Sequence, residues 1–200
     1  MLGDELNNNA FELTDLDKGR VAVLVIDVLG DPAALPSPLR EQMEPVVDNA
    51  ARICDAARAA GVPVVFTNDA HIPGLDRELE LWGAHGLAGT SAAQPSPQLA
   101  CSDADYVVPK RRYSGFFQTG LRLLLDELGV DTLLCVGMDT NICVRHTVAD
   151  AYFNNFRIVV AGDATLTFLV GDQDEGLAYM ETCYAAKVVP TADAVAFLEA

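Results

Sequence analysis

The chain has 200 residues, half of them hydrophobic, with 29 acidic residues against 13 basic ones and a formal net charge of −16. That length and apolar fraction suit one compact domain with a sizeable core. The acid excess argues against nucleic acid or an anionic membrane as partner, because both require a basic face.

The first twenty residues, MLGDELNNNAFELTDLDKGR, are polar and acidic, with neither a basic n-region nor an apolar h-region. They predict an N-terminal arm over residues 1–20 and no signal peptide, hence a cytoplasmic protein whose domain proper spans residues 21–200. The five cysteines are odd in number, scattered and without a C-x-x-C pair, as expected of reduced thiols.

From Val21 onward, apolar β-branched runs alternate with helical patterns. The strand candidates are VAVLVID (21–27), VPVVFTND (62–69), DYVVP (105–109), DTLLCVG (131–137), FRIVVAGD (156–163) and AKVVP (186–190). All are strand-length, far short of a membrane span. Near-continuous apolar strands are buried on both faces, as in a parallel sheet. Between them, LREQMEPVVDNAARICDAARAAG has helical periodicity and stops at Gly61, and TGLRLLLDELGV is shorter. NICVRHTVADAYFNN, DQDEGLAYMETCYAA and the closing TADAVAFLEA also fit amphipathic helices. Alternating β and α elements predict an α/β, three-layer domain with a mostly parallel sheet of about six strands; in the order 3-2-1-4-5-6 the ends of the first four would converge on one crevice. The exception is the stretch from Ala70 to Ser102, rich in Gly and Pro and only weakly helical around Leu75–Leu81. A loop of that length is usually functional.

In open α/β sheets, ligands bind beyond the carboxyl ends of the strands, where strand order reverses. Asp27 ends the first strand, Asp69 the second, Lys110 follows the third, and Cys143 lies just past the fourth. With Thr140 or Asn141 as N-cap, Cys143 falls in the first helical turn, where free N–H groups and the macrodipole favour a thiolate. A small core thiol is the competing reading. Lys110, one of three lysines, could stabilise that thiolate or stand as an ordinary surface lysine. Asp27 could accept the thiol proton or cap the turn-like DVLGDP. Asp69 and His71 form a D-x-H pair pointing one way, and with His85 they could hold Zn²⁺, Fe²⁺ or Mn²⁺. Two ordinary histidines in a polar loop would give the same letters. His146, one turn after Cys143, fits a helix-surface residue.

Taken in order, VLVIDVLGD, DAH…WGAHGLAGT, VPKRRYSGFFQTGL and VGMDTNICVRHTVADA resemble the isochorismatase-like cysteine hydrolases, which include nicotinamidases and N-carbamoylsarcosine amidase. The likeness runs from Val21 to about Pro190. It implies a Rossmann-like sheet, an Asp27–Lys110–Cys143 triad and a cis peptide at Met138–Asp139. It also implies an oxyanion hole from the backbone N–H groups of Asp139 and Cys143. The implied chemistry is hydrolysis of a C–N bond in a small amide or carbamoyl compound, through a thioester and with release of ammonia. The nicotinamidase branch further implies one divalent metal on Asp69, His71 and His85, with no organic cofactor. The pocket residues implied are Trp82, Tyr113 and Phe116, and the partners are a small-molecule substrate and other copies of the chain in a dimer or tetramer.

This sequence departs from nicotinamidases at four positions. Leu29 and Pro32 stand where a Gln and a Phe are usual, Arg77 where a histidine is common, and Asp139 where a small residue is usual. Asp139 is therefore the expected point of difference in substrate. A thiol redox protein and a non-catalytic binding module on a hydrolase scaffold are the rival classes.

Overall fold

The computed structural model describes residues 11–200. Among them, six strands form one sheet, β1 (Val21–Ile26), β2 (Val64–Asp69), β3 (Tyr106–Lys110), β4 (Thr132–Met138), β5 (Arg157–Leu166) and β6 (Lys187–Val189). All neighbours pair in parallel, in the order β3-β2-β1-β4-β5-β6 that the sequence predicts. The helices are α1 (Ser37–Ala59), α2 (Glu78–Trp82), α3 (Leu121–Glu127), α4 (Arg145–Phe153), α5 (Gln173–Tyr184) and α6 (Thr191–Glu199). None is long and apolar enough to cross a membrane.

The three layers follow from the two-residue period of a strand. Val21, Val23 and Val25 of β1 face α1 and α6, in a core with Ile53, Phe66 and Leu198. Ala22, Leu24 and Ile26 face the other way, against Leu121, Leu125, Val148 and Met180 of α3, α4 and α5. Every residue of β1 is at most 1% exposed, so the continuous apolar run is what two covered faces require.

Of the N-terminal arm expected over residues 1–20, the first ten residues lie outside the described part. The rest lies on the body: Phe11 and Leu13 pack on the α1–α6 core, and Glu12 pairs with Lys187 at 2.8 Å. The long stretch after β2 contains one α-helix, the five-residue α2, which begins three residues after the weak helical signal, and two short 3-10 turns at Ser91–Ala93 and Pro97–Leu99. It folds back on itself through a bridge between His71 and Leu87, and a second bridge, Leu29 to Pro95, ties it to the segment after β1.

At Gly137, β4 presses against β1. A Cβ there would lie 1.9 Å from the Ile26 carbonyl oxygen, and φ is +131°. Neither backbone can retreat without breaking the sheet, so Gly137→Ala should cost about 3 kcal/mol or more. Gly120, with nothing within 4 Å of its missing Cβ, supplies the control. Thermal melts should separate a large loss for Gly137→Ala from a near-neutral Gly120→Ala.

Candidate active site

The fold brings the ends of β1, β2, β3 and β4 together at the topological switch between β1 and β4. Asp27 follows β1 with φ at 50°, a left-handed turn that swings its carboxylate under β2, where Oδ1 accepts the Asp69 N–H at 2.7 Å. Lys110 is the last residue of β3, and its side chain is fully buried. Its ammonium has three neighbours for three N–H groups: Asp69 Oδ1 at 2.5 Å, Asp27 Oδ2 at 2.6 Å and Cys143 Sγ at 3.6 Å. Asp27 Oδ2 lies off the line of a directed hydrogen bond and accepts no other. That leaves it open towards the thiol, and ligand atoms of Asp27, Asp69 and Cys143 all lie within 4.8 Å of one another.

Cys143 sits in a π-helical turn, Thr140–Val144, that runs into α4. The cap of this turn is Asp139, not Thr140 or Asn141 as expected: the Asp139 side chain accepts the Asn141 N–H at 2.9 Å. The Met138–Asp139 peptide is cis. Asp139 is also nearly buried and fully engaged. Beyond Asn141, it accepts Thr167 Oγ1 at 2.8 Å, Phe168 N–H at 2.8 Å and Leu169 N–H at 2.9 Å. Its carboxylate is a latch between the turn and the loop after β5, with no oxygen spare for a substrate. The acidic side chain expected to meet the substrate instead shapes the wall that Phe168 and Leu169 present.

Burial decides the protonation states. It pushes Asp27 up to about 6, helped by the charge of Asp69 and opposed by Lys110. Burial and then the Asp27 charge hold the Cys143 thiol well above its ordinary range, while Lys110 pulls the other way. The helix-start argument predicts a depressed thiol, but removal from water outweighs the turn's N–H groups here. Burial alone would drag the Lys110 ammonium down, yet Asp27, Cys143 and Asp69 keep it well above the usual lysine range. At neutral pH the trio therefore holds a thiol, a carboxylate and an ammonium.

Beside it lies a second cluster. His71 is completely buried, and neither ring nitrogen has a hydrogen-bond partner. Its Nε2 is 3.4 Å from Asp69 Oδ2 and 3.6 Å from Glu78 Oε2, and His85 Nε2 is 3.9 Å from Asp69 Oδ2. Ligand atoms of all four residues lie within 4.8 Å of one another. An orphaned imidazole facing two carboxylates and a second imidazole fits a divalent ion with mixed N/O donors. Sequence reasoning found Asp69, His71 and His85 but missed Glu78. The available signal was helical spacing: Glu78 and Trp82 are four apart, so a helix there turns both to one side, and both line the cavity. It also missed Asp76, whose Oδ2 lies 3.6 Å from His71 Nδ1. Asp76 is itself pinned by Arg111 at 2.7 Å, Arg112 at 2.8 Å and the Ile72 N–H at 2.7 Å. A carboxylate behind a ligating imidazole fixes the ring's orientation.

Both clusters open into one cavity of about 640 Å³. Trp82 and Tyr113 line it and are joined by a 3.1 Å hydrogen bond from Trp82 Nε1 to the Tyr113 hydroxyl. Phe116 does not line it; that ring stacks on Phe156, 5.8 Å between centroids, in the α3–α5 core. Leu29 lines the cavity, whereas Pro32 is buried outside it. His146 is exposed, with Nδ1 2.7 Å from the Ile142 carbonyl oxygen and its ring 5.4 Å from that of Tyr113.

The isochorismatase domain matches residues 21–193. A ureidoacrylate amidohydrolase of Pseudomonas syringae is 31% identical over 173 residues, covering 74% of this chain and 71% of its own. Nicotinamidase 3 of Arabidopsis thaliana is 30% identical over 152 residues, with 74% and 73% covered. The crystal structure of N-carbamoylsarcosine amidase from Thermoplasma acidophilum superposes with a TM-score of 0.77 at 33% identity, over 86% of this chain and 96% of that one.

Proposed function

The chain belongs to the isochorismatase family, whose matched members include amidohydrolases, and from that premise we propose that it hydrolyses a C–N bond in a small amide or carbamoyl compound with Cys143 as nucleophile. The observation that carries the proposal is the buried contact set at the cavity floor, Lys110 Nζ 2.6 Å from Asp27 and 3.6 Å from the Cys143 sulfur. Neither a redox thiol nor a passive binding pocket needs a base and an ammonium at those distances.

In the proposed cycle, Asp27 Oδ2 takes the thiol proton as Sγ attacks the carbonyl carbon. Lys110, in contact with both, holds the negative charge as it passes from the Asp27 carboxylate to the sulfur. The Asn141, Ile142 and Val144 N–H groups are all spent on Asp139. The N–H groups of Asp139 and Cys143 are the ones assigned to the oxyanion. The proton on Asp27 then passes to the leaving nitrogen, ammonia departs, and a water activated by Asp27 hydrolyses the thioester. Asp69, His71, Glu78 and His85 would hold a divalent ion, which would anchor a substrate heteroatom or a water at the cavity wall.

Ammonia release from a panel of primary amides and carbamoyl compounds tests the reading, and silence across the panel would overturn it. A pH profile adds a second check. Asp27 acts only when ionised, and its carboxyl is pushed up to about 6. So kcat/KM should climb as pH rises through about 6 and stay level through neutral pH. A rate that falls over that window would remove Asp27 from the role of base.

A further inference from the structure

The cavity's charge identifies the class of substrate. Its carboxylates are Asp27, Asp31, Asp69, Glu78 and Asp139. Among the described residues no lysine or arginine lines it, and residues 1–10 contain neither. The one ammonium underneath, Lys110, already has a neighbour for each of its three N–H groups. Arg111 and Arg112, the cations on the metal-cluster side, are both committed to Asp76. A divalent ion on Asp69, His71, Glu78 and His85 would bring two positive charges to two carboxylates and leave that wall without net charge. Apart from Ser91, Gln94 and Tyr113, the remaining side chains of the wall are apolar or flat, among them Leu29, Leu35, Met43, Trp82, Ile142 and Phe168.

On this basis, and resting on the amidohydrolase reading above, we infer that the substrate is an uncharged amide or carbamoyl compound with an apolar, flat body, and that carboxylate-bearing amides and ureido acids are excluded. An anionic substrate would give up its water beside Asp27, Asp31 and Asp139 and find no lysine or arginine to pair with. The net charge of −16 repels anions already at the entrance. A cavity of about 640 Å³ has room for a body much larger than the reacting group, and burying it in apolar walls supplies the binding.

Alkylation of Cys143 reads this preference whether or not any amide is turned over. The reagents are iodoacetamide, N-phenyliodoacetamide and iodoacetate, with labelling of Cys143 and of the exposed Cys183 followed by peptide mass spectrometry. Cys183 reports intrinsic reactivity and the overall charge of the same molecule. Relative to Cys183, Cys143 should favour iodoacetamide over iodoacetate by at least tenfold, with and without added Zn²⁺, and N-phenyliodoacetamide should react at least as fast as iodoacetamide. Gln94 lines the cavity, has an exposed side chain and is held only by its backbone. Gln94→Arg should speed the iodoacetate reaction at Cys143 severalfold. Among substrates, benzamide should exceed 4-carbamoylbenzoate by about 100-fold in kcat/KM. Equal or reversed iodoacetate preference at the two cysteines, exclusion of the phenyl reagent, or an unchanged iodoacetate rate in Gln94→Arg would each overturn the inference. Absence of ammonia from both benzamides and from the whole panel above, with the alkylation pattern as expected, would instead overturn the amidohydrolase reading.

Discussion

Cys143→Ala should lose turnover by about 10⁴-fold or more while keeping its fold. The change deletes one atom, the sulfur that Lys110 contacts at 3.6 Å and that faces the open Oδ2 of Asp27. Alanine fits the turn, and the gap left is at the floor of an existing cavity, so the packing cost stays small. Cys143→Ser should fare little better. A carboxylate at about 6 can follow a thiol proton during attack, but it is a weak base for a hydroxyl. Ammonia release on the best substrate of the panel, set beside a thermal melt, gives both readings. Residual activity above one hundredth of wild type in Cys143→Ala would remove Cys143 as nucleophile.

The elements were legible in the sequence where one physical cause dominates. Runs too apolar for a half-exposed strand give a parallel sheet whose inner strands β1, β2 and β4 are covered on both faces, while the edge strand β3 leaves Tyr106 and Val107 exposed. Strand endings at Asp27, Asp69 and Lys110 point at one crevice. What escaped depended on contacts between distant segments. Asp139 reads locally as an acid beside a helix start, yet its oxygens are claimed by Thr167, Phe168 and Leu169, some thirty residues on. Glu78 and Asp76 join the histidine cluster only because the loop after β2 folds back on itself through His71 and Leu87. The direction of the Cys143 shift was misjudged for a related reason: the turn's N–H groups are local, but the burial that outweighs them is set by the whole fold. Phe116, assigned to the pocket, follows its own short segment into the core beside Phe156.

The same separation of local chemistry from global burial makes Lys110 the position where activity and stability fall together. Lys110→Met keeps the length and the apolar stem but removes the only charge that Asp27 and Asp69 share. Two carboxylates would then lie buried side by side without a cation, and breaking such a pair from one side costs about 3–5 kcal/mol at neutral pH. The sign with pH follows from linkage. In the wild type Lys110 restrains Asp27, already at about 6, and helps hold Asp69 below the usual carboxylate range. Without it both folded-state values move up, so the folded variant binds protons that the unfolded chain has shed. Its stability is therefore best retained below the ordinary carboxylate range and is lost as pH rises through 6 and beyond. Melts of Lys110→Met should approach wild type near pH 4 and diverge steadily towards pH 8, with turnover lost at every pH. A deficit that shrinks as pH rises would mean the two carboxylates are not what Lys110 neutralises.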